Sequence, residues 1–180
     1  MTPPPAPPTP PNPQIKMKYH NTPVEEFHTA FGHPVNVEPT VPNAATRLLR
    51  VKLIAEELTE LAKASGVYVS ITPDPAMEDL HAVQVLINPA SPPDLIEVAD
   101  ALGDLRYVVD GANLVYGLPG QGVFEEIHRS NMSKLGADGK PIYREDGKIL
   151  KGPNFTLPDI PGTVYKALKG VPGRNIERLE

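Results

Sequence analysis

Apolar residues recur at helical spacing in two long stretches of this 180-residue chain. In the first stretch, residues 43–66, they stand three and four positions apart, which predicts a helix with one apolar face. Asn43 is expected to cap this helix and Gly66 to end it. The predicted core-facing residues are Leu48, Val51, Ile54, Ala55, Leu58, Leu61 and Ala62.

The second stretch, residues 91–116, predicts another long helix, with Ser91 as its cap, Pro92 in its first turn and Gly117 after its end. Apolar side chains surround this helix on nearly every side, which is typical of a buried helix. They are Leu95, Val98, Ala99, Leu102, Leu105, Val108 and Val109.

Shorter patterns complete the predicted fold. Residues 22–32 and 121–136 predict two further helices, and the β-prone runs 67–71 and 82–87 predict a small hairpin or an irregular excursion. Asp146-Gly147 predicts a second hairpin. We therefore expect an all-α protein, a bundle of about four helices with small β-hairpin additions.

The two ends of the chain differ from this pattern. Eight of the first thirteen residues are proline, so residues 1–18 are predicted to be a disordered tail. Residues 19–180 are predicted to form a single domain with an extended C-terminal segment, in which a last short helix is broken near Pro172.

Composition narrows the classes of function. The net charge of -5 gives no general footprint for nucleic acid or an anionic membrane surface. The chain has no cysteine, which excludes thiolate catalysis and cysteine-based zinc sites. It also has no apolar run of about 18 residues that would span a membrane. We expect a cytoplasmic protein, in the host cytoplasm if viral, that binds neither nucleic acid nor membrane.

Three carboxylates form a stripe along the second long helix. Glu97, Asp100 and Asp104 stand three and four residues apart, which keeps them within roughly 60° of one another around the helix axis. Like charges at this spacing destabilise a helix, so the stripe needs a compensating partner. In a buried helix such acids must be paired, protonated or bound to metal.

The first long helix repeats the pattern with Glu56, Glu57 and Glu60. If the two helices pack antiparallel, five or six carboxylates could converge, and two like charges 4 Å apart cost about 4 kcal/mol at an effective dielectric constant of about 20. Mg²⁺ or Mn²⁺, which take oxygen ligands, would remove this cost. Two alternatives stay open: the glutamates could be a solvated face, and Arg106 could neutralise the stripe.

The segment around Lys134 supplies cations and hydrogen-bond donors at the end of the fourth predicted helix. Asn131 and Lys134 stand three residues apart, and Lys134 is placed to meet an anion. Charge matching at a helix C-terminus, by Arg129 and Lys134, is the better explanation of this segment taken by itself. Glycine-rich phosphate-binding loops and the H-E-x-x-H zinc motif do not occur in the sequence.

Taken in order, these motifs resemble the MazG-like all-α nucleoside triphosphate pyrophosphohydrolases. E-E-L-T-E at residues 56–60 matches the E-E-x-x-E of that family, and residues 100–135 resemble the second half of its metal site and the nucleotide-facing helix after it. Residues 144–160 resemble the tail of the branch that includes phage proteins and relatives of phosphoribosyl-ATP pyrophosphohydrolase.

The resemblance implies a homodimer or homotetramer, in which the active site is completed, and which hydrolyses a nucleoside triphosphate to the monophosphate and pyrophosphate. It implies two or three Mg²⁺ or Mn²⁺ ions per site, with Glu56, Glu57 and Glu60 as ligands in the first motif and Asp104 as the last ligand in the second. One of the glutamates, Glu56 or Glu57, would take the proton from the attacking water.

The chain departs from the family pattern at one ligand. The second motif is usually E-x-x-D, and its Glu position is Ala101 in this sequence. Asp100 could replace it, or Glu97 and Asp100 could supply the E-x-x-D with Asp104 added. On the same resemblance, the candidate substrate-binding residues are Asn131, Lys134, His128 and Lys151.

We expect (d)GTP as the substrate, because residues 144–160 resemble phage relatives. The alternatives are dUTP and phosphoribosyl-ATP. A different class of function is a non-catalytic helical interaction module, in which the acids are surface charge and the Pro-rich tail recruits a partner.

Overall fold

The structure is a computed structural model, and it describes residues 22–73 and 81–169. In these residues it contains five helices and one two-stranded antiparallel sheet, which confirms the predicted all-α class with a small β addition. The predicted tail, residues 1–18, and the break near Pro172 lie outside the described residues. The elements are α1 (Pro23–Ala30), α2 (Ala44–Ala64), β1 (Val67–Pro73), β2 (His81–Ile87), α3 (Leu95–Tyr116), α4 (Gly120–Met132) and α5 (Ile160–Lys169).

Packing divides the described chain into two compact units, an N-terminal unit, Pro23–Leu118, and a C-terminal unit that starts at Pro119. In the N-terminal unit α2 packs along α3, and α1 packs against α3. The core of this unit lies where the three helices meet, and its buried apolar residues are Val24, Ala62, Ala101 and Val115. The single domain predicted for residues 19–180 stays a prediction.

Local chemistry sets the ends of α2 and α3. Asn43 caps α2 as predicted, since its Oδ1 accepts a hydrogen bond of 2.9 Å from the backbone N–H of Thr46. Helix α3 ends as predicted before Gly117, whose φ of 63° lies in the left-handed region that glycine favours. Both of these ends could be predicted because capping depends on a few adjacent residues.

Helix α3 begins at Leu95 rather than at Pro92, so the predicted cap at Ser91 is wrong. The cap is Asp94, whose Oδ1 accepts a hydrogen bond of 2.8 Å from the backbone N–H of Ile96. The reason is the second proline of the pair, because a proline disfavours helical backbone angles in the residue before it and so keeps Pro92 out of the helix.

A β-hairpin follows α2, as predicted, with strands longer than the sequence indicated. Its strands pair in antiparallel register from Val67 opposite Ile87 to Pro73 opposite His81. Several apolar side chains of the hairpin stay more than half exposed: Tyr68, Ile71, Val83, Val85, Leu86 and Ile87.

Two ionisable side chains, His28 and Arg50, are buried in the N-terminal unit, with 2% and 6% of their surface exposed. Burial lowers the pKa of both groups. His28 Nδ1 lies 3.0 Å from the carbonyl oxygen of Pro34, which fixes the ring. A Cβ at Gly111 would lie 2.9 Å from His28 Nε2, so α3 can pass this close only because position 111 has no side chain.

In the C-terminal unit α4 packs against α5. Helix α4 ends at Met132, whereas the sequence predicted that it would continue to Gly136. The hairpin predicted at Asp146-Gly147 is reduced to a single bridged pair, Tyr143 and Ile149, around the positive φ of Gly147.

The two long helices are less buried than the sequence predicts. Leu48 and Val51 on α2 and Leu95 and Ile96 on α3 are between 64% and 81% exposed. The prediction that α3 is buried on nearly every side is therefore wrong for the single chain, in which α1 and α2 cover only part of its surface. No helix in residues 22–73 and 81–169 combines the length and hydrophobicity needed to cross a lipid bilayer.

Candidate active site

Two rows of carboxylates, one on α2 and one on α3, lie in the N-terminal unit. The side chain of Glu57 is half-buried, and the others are exposed. The first row is Glu56, Glu57 and Glu60, and the second row is Glu97, Asp100 and Asp104.

The two rows lie close enough for acids of both to act on the pKa of Glu57. Desolvation raises the pKa of its carboxyl group first, and the negative charges of Glu60, Asp104, Glu56 and Asp100 raise it further. Because two of these four acids belong to α3, the packing of the long helices brings the two predicted motifs together. The structure thus brings four of the other five predicted ligands near Glu57.

An open cavity of about 380 Å³ lies beside this cluster, and Glu97 is one of its lining residues together with Glu60 and Asp100. The lining also contains Lys63 and Asp94, which the sequence reasoning missed as site residues. Lys63 stands one turn of α2 after Glu60, and this helical spacing could have identified it as a neighbour of the first acidic row.

The salt-bridge alternative for the acidic stripe does not match the geometry. Arg106 Nε lies 3.8 Å from Asp110 Oδ2, so the arginine pairs with an acid outside the stripe. On α2, Lys52 Nζ lies 3.3 Å from Glu56 Oε1 in an exposed pair. Such surface pairs contribute little to stability, and the shared negative field around Glu57 persists beside them.

The donor set fits hard divalent cations in its chemistry. All six groups are carboxylates, the ligands that Mg²⁺ and Mn²⁺ prefer. Within the two described ranges, no three of these side chains already converge on one point at ligating distance. Exposed side chains change rotamer readily, so carboxylates on these two helix faces can reorient toward a bound ion.

Two predicted substrate-binding residues lie together in the C-terminal unit. Lys134 Nζ donates a hydrogen bond of 2.8 Å to Asn131 Oδ1. An ammonium group has three N–H donors, so this contact leaves two for an anion. His128 is exposed on α4, and no hydrogen bond within the described part of the chain joins it to this pair.

Lys151 is held next to the same helix end by the backbone. The N–H of Gly152 donates a hydrogen bond of 2.9 Å to the carbonyl of Lys134, and a Cβ at Gly152 would overlap the carbonyl of Leu135. Lys151 Nζ lies 4.5 Å from the centroid of the Phe155 ring, a cation–π contact. All four predicted substrate-binding residues therefore lie in the C-terminal unit, and three of them are grouped near the end of α4.

Arg129, Ser130 and Ser133 have a role that the sequence reasoning missed. They bind the later segment that contains Thr156, for example through a hydrogen bond of 2.8 Å from Ser130 Oγ to the Thr156 carbonyl. The sequence interpretation, in which Arg129 matches the charge of the helix end, did not include Thr156 as a partner. Thr156 is 27 residues away in sequence, so only a tertiary structure could reveal this contact.

Comparisons with known proteins identify a family for this chain. Residues 24–131, more than half of the chain, match the phosphoribosyl-ATP pyrophosphohydrolase family. Among solved structures, the chain is similar to a candidate NTP pyrophosphohydrolase from Exiguobacterium sp. 255-15, with 23% identity and a TM-score of 0.40 over 82% of this chain and 94% of that chain. No curated protein matches the sequence. The family match includes both rows of acids and ends before Lys134 and Lys151.

Proposed function

The chain belongs to the phosphoribosyl-ATP pyrophosphohydrolase family, and from this premise we propose that it hydrolyses a nucleoside triphosphate to the monophosphate and pyrophosphate with Mg²⁺ or Mn²⁺. Family membership makes the protein a nucleotide pyrophosphohydrolase. The triphosphate substrate and the metal dependence are what the proposal adds. The observation that supports them is the meeting of both acidic rows around Glu57.

In this proposal the carboxylates of α2 and α3 hold two or three ions. Bound divalent ions would neutralise the phosphates and lower the pKa of a water molecule. The ligands are Glu56, Glu57, Glu60, Asp100 and Asp104, with Glu97 as a sixth candidate at the cavity wall.

Glu57 is better placed than Glu56 to accept the proton from the attacking water. It lies half-buried at the centre of the acids, whereas Glu56 is exposed and paired with Lys52 at 3.3 Å. General bases of this kind contribute about 10²–10⁴-fold to a rate. Most of the remaining catalysis is positioning and charge stabilisation of the phosphates.

Lys134 and Lys151 are the proposed phosphate-binding cations, with Asn131 and His128 as further contacts to the nucleotide. Ammonium groups bind phosphate oxygens through charge-assisted hydrogen bonds, which are roughly twice as strong as neutral ones. The hydrogen bond between Lys134 and Asn131 supports this role, because it orders the ammonium group before the nucleotide arrives.

The proposed substrate is (d)GTP, and dUTP and phosphoribosyl-ATP are the alternatives. The test is pyrophosphate release from a panel of these nucleotides with Mg²⁺ or Mn²⁺, with Asp104→Asn as the ligand-deficient control. Preference for another base would redirect the assignment within the family. No turnover of any nucleotide by an intact, metal-loaded oligomer would refute the enzymatic proposal.

We also propose that the protein forms a homodimer or a homotetramer. The supporting observation is the exposure of Leu95 and Ile96, at 81% and 78%, near the start of α3 beside the acidic stripe. Leu95→Glu should dissociate the oligomer in analytical ultracentrifugation, whereas Thr29→Glu on the exposed side of α1 should not. A wild-type protein that sediments as a monomer at high concentration would contradict this proposal.

A further inference from the structure

Helix α4 carries a set of polar contacts that the proposed reaction does not use. Arg129 binds Glu126 through two hydrogen bonds, of 2.9 Å from Nε and 2.7 Å from an Nη. The same guanidinium donates to Thr156 Oγ1 at 2.6 Å and to the Leu157 carbonyl at 3.0 Å. Glu126 in turn accepts a hydrogen bond of 2.7 Å from the backbone N–H of Asp159. One ion pair thus holds three residues of a later segment, Thr156, Leu157 and Asp159.

The electrostatics and burial show that this contact is a built interface. The hydrogen bond from Arg129, followed by that from the Asp159 N–H, lowers the pKa of Glu126 to about 2. Ser130 is only 4% exposed and donates its hydroxyl to the Thr156 carbonyl at 2.8 Å. The N–H of Thr156 donates to Ser133 Oγ at 3.0 Å. Residues 156–159 are therefore fixed to α4 by both backbone and side-chain groups.

The fixed segment begins five residues after Lys151. The Phe155 N–H donates a hydrogen bond of 3.1 Å to the Gly152 carbonyl, so residues 152–155 form one tight turn. That turn begins where Gly152 contacts the Lys134 carbonyl and ends where Thr156 meets Arg129. The backbone on both sides of the turn is thus anchored to α4, which holds the backbone of Lys151 near the end of this helix.

We propose that Arg129 is a positioning residue for the nucleotide: by fixing residues 156–159 to α4, it holds the backbone of Lys151 near the end of that helix, where Lys151 and Lys134 both bind phosphate. Arg129 itself takes no part in the chemistry. This inference rests on the proposed function, since it assigns the two lysines to the phosphates of the same substrate. Holding a flexible lysine in place before binding reduces the entropy lost on binding, and so strengthens affinity without a new contact.

The test is a double-mutant cycle between Arg129→Gln and Lys151→Gln in the full-length protein. Each single variant should raise the KM for the nucleotide by about tenfold, the size of one charge-assisted hydrogen bond, with kcat within about twofold. If Arg129 acts through Lys151, Arg129→Gln should raise KM little further in the Lys151→Gln background. Arg106→Gln, which removes an exposed arginine of α3, should leave both constants unchanged.

Two outcomes would overturn the inference: an unchanged KM in Arg129→Gln, or effects of the two substitutions that multiply fully in the double variant. If Arg129→Gln does not fold, Thr156→Val removes a single acceptor of the guanidinium and takes its place in the cycle. Affinity for inorganic pyrophosphate, measured by calorimetry on the same variants, should fall in the same non-additive way. That readout separates the two proposals, because a wild type that binds pyrophosphate without hydrolysing any nucleotide refutes the activity and not the positioning role.

Discussion

Replacing Glu57 by Gln tests whether the acids of α2 and α3 form one repulsive cluster that cations relieve. Four carboxylates raise the pKa of Glu57. Each such like-charge contact costs about 0.2–0.5 kcal/mol, and the four together give about 1–2 kcal/mol before screening. Since Glu57 is partly exposed, solvent screening reduces this to about 1 kcal/mol. Glu57→Gln should therefore raise the Tm of the metal-free protein by about 3 °C.

The assay is a thermal melt at pH 7 and low ionic strength, with and without Mn²⁺. The wild type should gain Tm with Mn²⁺, because an ion that binds only the folded state stabilises it by mass action, and Glu57→Gln should lose most of that gain. High salt should raise the metal-free Tm of the wild type more than that of the variant. Glu125→Gln on α4, whose amide can keep the hydrogen bond with Gln121, serves as the control and should behave like wild type.

A lower metal-free Tm in Glu57→Gln, together with an unchanged Mn²⁺ response, would refute this reasoning. It would mean that Glu57 makes a favourable contact and is not a ligand. A wild type that ignores Mn²⁺ altogether would favour the alternative in which the acids are surface charge on an interaction module.

Three further predictions follow from single positions. Asp104→Asn should lower kcat for pyrophosphate release by at least about tenfold, since even the outer partners of metal ligands contribute this much; equal kcat values in a coupled assay would count against its ligand role. Gly103→Ala should raise Tm, because a Cβ there meets nothing within 4 Å and alanine favours the helix by up to about 1 kcal/mol. Gly111→Ala should instead lower Tm, because its Cβ would lie 2.9 Å from His28 Nε2. The pKa of Glu126 is about 2 in the folded protein, below its ordinary value, so its contribution to stability is present above pH 4.3 or so and is lost as the pH falls toward 2. The difference in Tm between wild type and Glu126→Gln should accordingly shrink in melts from about pH 5 to pH 2.5, and a constant difference would contradict the assignment.

The sequence predicted those parts of the fold that depend on neighbouring residues. Asn43 and Gly117 end their helices as expected, because a cap or a left-handed glycine acts within one turn. The start of α3 was misplaced because Ser91 and Asp94 are both good caps, and the choice between them depends on how the two prolines restrict the chain. At such points two residues each favour a helix start, and neither residue by itself shows which start the chain adopts.

The candidate site was predictable in its acids and less so in its supporting contacts. Glu57, Asp100 and Asp104 could be found from spacing, since helix geometry fixes which residues share a stripe. Lys63 on the cavity wall and Arg129 beneath Thr156 depend on which surfaces meet in three dimensions. For such residues a charged side chain in the sequence has many possible partners, and only packing selects one.

We interpret the exposed residues Leu95 and Ile96 as part of a surface that contacts another chain. The apolar surround of α3 predicted burial, and the single chain leaves these residues 81% and 78% exposed. Monomeric proteins rarely expose contiguous apolar patches of more than a few hundred Å², so such a surface is expected to meet another chain. In that case the pattern describes burial in the assembly, and the acidic stripe, which begins at Glu97 immediately after Ile96, would lie at the margin of the contact. Leu95→Glu should then lower both the association of the chains and the turnover of nucleotide, whereas a monomeric Leu95→Glu variant with full activity would show that the site is complete in one chain.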